Sequence, residues 1–214
     1  MKSAFTIVAM CVIFVLWHAF GATVSGLVRH STAPVVFGSD QNPYTLVCLG
    51  DSLTAGDGAS VDQSYPAWLY RQLQADGYHY RVINAGVSGN RVDDGLRRLQ
   101  SDVLLFHPRI AVVELGSNDP GRTSRDVWEA QLGTIVHRLQ VQRVQVVLGG
   151  LDEPGMGDVY RRIAARYGVP LAWFISDVAR RPADWSDAHH PNGQGYRLVM
   201  RSFLPAVQPL LRHA

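Results

Sequence analysis

Tyr44-Thr45-Leu46-Val47-Cys48-Leu49-Gly50-Asp51-Ser52-Leu53 is the stretch that decides the fold. Its first six residues are apolar or β-favouring and run straight into glycine. That is the pattern of a short strand buried on both faces and stopped by a turn. A serine just past such a strand end, beside glycine, can present its hydroxyl at the top of a sheet. It can equally be a turn serine that caps the next helix.

Working outward, strands and helices alternate. From Tyr65, the residues Trp68, Leu69 and Leu73 follow at helical spacing, and residues 81–84 read as a second strand. Leu96, Leu99, Val103 and Phe106 mark a helical stripe, and residues 110–115 (IAVVEL) are a third strand. Thr123 and Asp126 have the pattern of a capping box ahead of the helix face Trp128, Leu132, Ile135, Val136 and Leu139. Residues 144–148 are a fourth strand, Val159, Ile163 and Tyr167 line a helix, and residues 169–174 are a fifth strand. A final helix over 193–211 is expected to kink at Pro205. This predicts an α/β fold in three layers, α/β/α, with a five-stranded parallel sheet and helices on both faces. In such sheets the functional residues follow the carboxyl ends of the strands.

The chain has 214 residues, 47% of them hydrophobic, which suits one globular domain, expected over 44–214. A net charge of +2 from 20 basic and 18 acidic residues, with no basic run, argues against a nucleic-acid groove. Cys11 and Cys48 are too few for a disulfide framework, and their spacing does not suit zinc. Lys2 precedes an uncharged stretch, 3–28, closed by Arg29 and nearly all apolar over 4–20. Residues 1–29 therefore read as a signal peptide, with a small-x-small site at Ala19-Phe20-Gly21, or as a transmembrane anchor associating with the membrane through residues 4–28. Either places the domain outside the cytoplasm, anchored and facing the periplasm or outside, or soluble and periplasmic or secreted. Residues 30–43, rich in Pro, Gly, Asn and Asp and without a period, read as a linker.

The strand ends carry the candidate chemistry. Ser52 needs a base within hydrogen-bond reach and a third group to orient that base. The second strand runs into Asn84-Ala85-Gly86-Val87-Ser88-Gly89-Asn90, where glycine lets backbone approach a ligand. The third runs into Gly116-Ser117-Asn118-Asp119, where the Asn118 amide can donate to a developing oxyanion. Both segments also read as simple turns. Among eight histidines, the pair in Asp187-Ala188-His189-His190-Pro191 stands out. A carboxylate three positions before an imidazole can hold that ring in one tautomer, which favours His190 as base, with His189 the alternative. Asp51 and Asp119 read as loop hydrogen-bonders, and Trp185 as substrate contact or core. The loop 151–158 reads as one that lines or covers the site.

Together these blocks resemble the SGNH, or GDSL-type, hydrolase family over about 44–211. Gly50-Asp51-Ser52-Leu53 matches the GDSL block, Gly89 stands at the family's glycine, Gly116-Ser117-Asn118-Asp119 matches GxND, and Asp187-Ala188-His189-His190 matches DxxH. Val113-Glu114-Leu115-Gly116 and His190-Pro191-Asn192 are similar to the bacterial multifunctional acyl thioesterase, lysophospholipase and arylesterase subgroup. The resemblance implies a flavodoxin-like SGNH hydrolase fold and a serine esterase with Ser52 as nucleophile, His190 as base and Asp187 as its partner. It implies an oxyanion hole from the Ser52 and Gly89 N–H groups and the Asn118 side chain, and no metal or organic cofactor. Expected substrates are lysophospholipids, aryl esters or other acyl esters and thioesters. The competing readings are a carbohydrate O-acetylesterase acting on cell-envelope polysaccharide, acyl transfer to an acceptor other than water, and a non-catalytic binding module on the same fold. An α/β-hydrolase is disfavoured because Ser52 lacks the G-x-S-x-G setting.

Overall fold

The computed structural model describes residues 33–213 apart from 177, 179 and 180; the expected signal or anchor lies outside the described residues. The strand β2 (Tyr44–Gly50) lies inside the sheet, with Leu46, Val47, Cys48 and Leu49 wholly buried. Neither of its faces meets water, which is why its sequence shows no alternation. β3 (Tyr80–Gly86) pairs parallel to it on one side and β4 (Ile110–Glu114) on the other. β5 (Gln145–Gly150) and β6 (Leu171–Trp173) extend the parallel sheet beyond β4.

The expectation of a five-stranded, wholly parallel sheet needs one correction. Val35–Phe37 forms an additional edge strand, β1, antiparallel to β3 with Val36 opposite Ile83. The sheet is therefore mixed and six-stranded, in the order β1-β3-β2-β4-β5-β6. β1 falls inside the stretch read as a linker. Three residues between Pro34 and Gly38 are too few to show a period, yet Val35 and Val36 suit an edge strand.

Connections between parallel strands cross over with a right hand. The chain moves one way from β2 to β3 and the other way from β3 through β4 to β6, so its crossover helices fall on opposite faces. α1 (Ser52–Ala55) and α2 (Tyr65–Ala75) join β2 to β3. α3 (Val92–Arg97) and α4 (Leu99–Asp102) lead to β4, α5 (Arg125–Val141) to β5, and α6 (Gly157–Tyr167) to β6. The last helix, α7 (Gly193–Val207), packs against α2, while α5 packs against α3 and α6. The helical layers and the parallel strand order are as the flavodoxin-like reading expects, with the topological switch between β2 and β4. Among the described residues no helix is long and apolar enough to cross a membrane.

Two local expectations change. α5 is preceded by Ser124, not Thr123, and no side-chain cap bond forms there. The Thr123 N–H is already spent in a turn, donating to Asp119 O at 2.9 Å. α7 runs through Pro205 and ends at Val207, followed by a 3-10 turn over Gln208–Leu210.

One aromatic cluster ties the layers beneath the site. Tyr65 on α2 meets Phe174, just after β6, and Phe203 on α7 edge-on at 4.9 and 4.8 Å, and the two phenylalanines stack at 5.4 Å. Each buried ring contributes about 1.5–3 kcal/mol. The cluster also fixes where the chain leaves β6 toward the histidine loop. On the other side of the nucleophile, Gly86 lets α1 lie directly on the sheet: a Cβ there would fall 2.1 Å from the Ala55 backbone nitrogen.

Candidate active site

Asp51 and Ser52 follow β2 at once, and Ser52 is the first residue of α1. The side chain of Asp51 caps that helix, its Oδ1 accepting from Leu53 N–H at 3.0 Å. The turn serine of the sequence reading is thus also a helix-start residue, but the capping oxygen belongs to its neighbour. The Ser52 hydroxyl is left free to face the loop after β6.

That loop brings the base. His190 Nε2 lies 3.1 Å from Ser52 Oγ, and His190 Nδ1 lies 2.9 Å from Asp187 Oδ2. Asp187 Oδ1 also accepts the backbone N–H groups of His189 and His190, at 2.7 and 2.8 Å. The spacing of three residues is therefore a closed turn in which one carboxylate holds both ring and backbone. The His190 hydrogen bond and these backbone donors pull the Asp187 carboxyl down to about 2. His189 lines the same cavity with its ring 6.3 Å from that of His190, and of the two it is His190 that meets Ser52 and Asp187. Outside the turn, Ser186 N–H donates to His190 O at 2.9 Å, and Asn192 caps α7 by accepting from Gln194 and Gly195.

The ends of β3 and β4 close the other side. Gly89 has φ of +76°, a left-handed conformation that side-chain-bearing residues resist. Among the described residues the backbone N–H groups of Ser52 and Gly89 have no protein acceptor. Asn118 Nδ2 donates to Asn90 O at 3.0 Å and to Asp51 Oδ2 at 3.3 Å. Ser117 Oγ donates to that same Asp51 oxygen. Asp51 is therefore a buried tie between the ends of β2 and β4, and Asp119 does similar work, accepting from Val92 N–H at 3.1 Å. Both are the loop hydrogen-bonders the sequence suggested.

Glu114 adds a buried carboxyl beneath the site that the sequence marks only as part of a motif. It ends β4, is buried, and accepts from Thr54 Oγ1 at 2.9 Å. Burial pushes its carboxyl well above the usual carboxylate range, and the nearby Asp51 carboxylate acts in the same direction. The signal was available: a lone acidic residue in the apolar run Ile110-Ala111-Val112-Val113-Glu114-Leu115.

A cavity of about 430 Å³ opens over the serine. Leu53, Leu151, Ile175 and Trp185 form its apolar wall, Ser52 and Asn118 its polar end, and Glu153 lines it as well. The loop 151–158 thus lines the site, and Trp185, half-buried, both faces the cavity and donates its ring N–H to Val178 O at 3.0 Å. Among the described residues no three His, Cys, Asp or Glu side chains are grouped to hold a metal ion. The arrangement is chemically complete for nucleophilic acyl substitution: a hydroxyl, an adjacent oriented imidazole, and free N–H donors beside both.

The chain is similar to known proteins. The model of the GDSL-like lipase/acylhydrolase family matches residues 48–198. The chain is 29% identical to Esterase TesA of Pseudomonas aeruginosa, across 78% of this chain and 89% of that protein. It is 30% identical to Thioesterase 1/protease 1/lysophospholipase L1 of Escherichia coli, across 79% and 86% of the two chains. A crystal structure of TesA superposes with a TM-score of 0.74 at 29% identity, across 78% of this chain and 99% of that one.

Proposed function

The chain belongs to the GDSL-like lipase/acylhydrolase family and is an ester-hydrolysing enzyme, and from that premise we propose that Ser52, His190 and Asp187 carry out the hydrolysis. The observation that supports this most directly is the continuous chain Ser52 Oγ, His190 Nε2, His190 Nδ1, Asp187 Oδ2, with steps of 3.1 and 2.9 Å between the end of β2 and the loop before α7. In this reading the Ser52 hydroxyl attacks the acyl carbon while His190 Nε2 takes its proton. Asp187 accepts from Nδ1–H and stabilises the imidazolium that forms. The tetrahedral oxyanion is received by the N–H groups of Ser52 and Gly89 and by the Asn118 amide. Each such donor is worth about 3–4 kcal/mol to the transition state. His190 then returns the proton to the departing alcohol or thiol, and water repeats the sequence on the acyl-enzyme.

The substrates we propose are lysophospholipids, aryl esters and other acyl esters or thioesters. The printed names of the relatives and the apolar wall formed by Leu53, Leu151, Ile175 and Trp185 support an acyl chain in the cavity. The apolar stretch 4–20 behind Lys2 supports export, with the domain either released or held at a membrane by residues 4–28. The test is hydrolysis of p-nitrophenyl esters of graded chain length by the wild-type protein and by Ser52→Ala. Hydrolysis that is lost in Ser52→Ala and persists beyond acetyl supports the proposal. Equal activity of the two proteins overturns the assignment of Ser52, and activity confined to acetyl esters overturns that of the acyl chain.

A further inference from the structure

We infer that Arg98 is a positioning residue of this site, whose guanidinium sets the oxyanion hole by tying the end of β2 to the end of β3 and to the loop that carries Gly89. Arg98 sits at the junction of α3 and α4, with its side chain only 14% exposed. Its Nη2 donates to Gly50 O at 2.7 Å, its Nη1 to Ala85 O at 2.6 Å, and its Nε to Asn90 Oδ1 at 2.7 Å. The nearest carboxylate, Asp102, is farther away, at 3.3 Å from Nη1. The shortest contacts of this cation are thus to the backbone and side chain of the catalytic loops rather than to its counter-ion.

Two of those acceptors lie close in the chain to a hole donor, and the third, Ala85, belongs to the end of β3 that leads to Gly89. Gly50 lies two residues before Ser52, and its carbonyl also accepts Val87 N–H, at 3.1 Å. Asn90 follows Gly89 directly, and its own carbonyl receives the Asn118 amide at 3.0 Å. One rigid planar group therefore references all three donors to a common point. Only arginine offers three such donors in fixed relative directions; lysine offers a single charged nitrogen. A guanidinium withdrawn from water is costly to bury even beside a carboxylate at 3.3 Å, and a hydrophobic side chain of similar volume would fill the space without that cost.

The inference rests on the assignment of Ser52, Gly89 and Asn118 proposed above. Its test compares wild type, Arg98→Met and Arg98→Lys in steady-state hydrolysis of p-nitrophenyl butyrate, with the pH profile of kcat/KM and circular dichroism to confirm folding. A folded Arg98→Met variant is expected to lose about 10- to 100-fold in kcat, the scale of a small misplacement of reacting groups. KM should stay within about threefold and the pH profile keep its shape, because Arg98 does not touch His190 or Asp187, and Arg98→Lys should recover part of the loss. A kcat within about twofold of wild type in folded Arg98→Met, or a loss accompanied by a displaced pH profile, overturns the inference. If Arg98→Met does not fold, Arg98→Lys and Asn90→Ala decide. Losses in kcat that are shared in the double variant support the tie, and no loss, or losses that simply multiply, overturn it. An inactive wild type, or a Ser52→Ala variant as active as wild type, would overturn the esterase mechanism itself. An active wild type with an unimpaired Arg98→Met variant removes only the role of Arg98.

Discussion

Asp187 carries two tasks that respond differently to pH. Its carboxyl is held at about 2, against an ordinary value of 3.8, first by the His190 hydrogen bond and then by backbone donors. A depressed carboxyl pKa favours the folded state fully above the ordinary value, and that contribution is lost as pH falls through about 2. Asp187→Asn is therefore expected to melt below wild type at neutral pH, with the two midpoints converging toward about pH 2 in thermal scans. The same substitution is expected to lower kcat by about 1,000- to 10,000-fold, because the imidazole loses the partner that fixes its tautomer. Ser52 and the pair Asp187 and His190 were legible in the sequence because each is bound by local geometry: a strand that must stop, and a turn closed over three residues. Arg98 and Glu114 were not legible as functional. Arg98 reaches the ends of β2 and β3 and Glu114 reaches Thr54 on α1, so the chain around them does not record what they hold, even though a lone acid in an apolar run marks Glu114 as unusual.

At the scale of elements, strands announced themselves where burial is complete and failed to where it is not. Val47 and Val112 sit in runs that touch no water, whereas Val35 and Val36 on β1 are largely exposed and follow a proline. The misplaced start of α5 has a similar origin: Thr123 satisfies the pattern of a cap, but its N–H had already been claimed by the preceding turn. The contact between α1 and β3 is a tight constraint on the nucleophile. Gly86→Ala would press a methyl group onto the backbone of Ala55, which cannot swing aside. The expected result is about 1–3 kcal/mol of lost stability in chemical denaturation. A fall in kcat should accompany it, since α1 carries Ser52 at its first residue.

At the scale of the whole molecule, the raised carboxyl of the buried Glu114 contributes stability that weakens as pH rises. A carboxyl whose folded pKa is raised contributes stability that is complete below its unfolded value and drains away as pH climbs through the folded one. Glu114→Gln keeps an oxygen for Thr54 Oγ1 and has no charge to bury, so its melting midpoint should gain on wild type as pH rises above the ordinary carboxylate range. A midpoint difference that does not change with pH would show that Glu114 does not titrate with unfolding. The order of the strands carries a different lesson. Gly89, Ser52 and Asn118 follow three neighbouring strands, β3, β2 and β4, and the reaction is completed by His190, which the chain brings back from beyond β6 to within 3.1 Å of Ser52 Oγ. Its last contributor follows β6, an edge strand paired over only Leu171–Trp173. Edges with short pairing open before interiors do. Activity should consequently be the first property to disappear on heating, with half-inactivation at a temperature below the cooperative loss of helical signal and regained on prompt cooling. The enzyme is in this sense its own thermometer, reporting the fraying of one margin while the interior of the sheet is still intact.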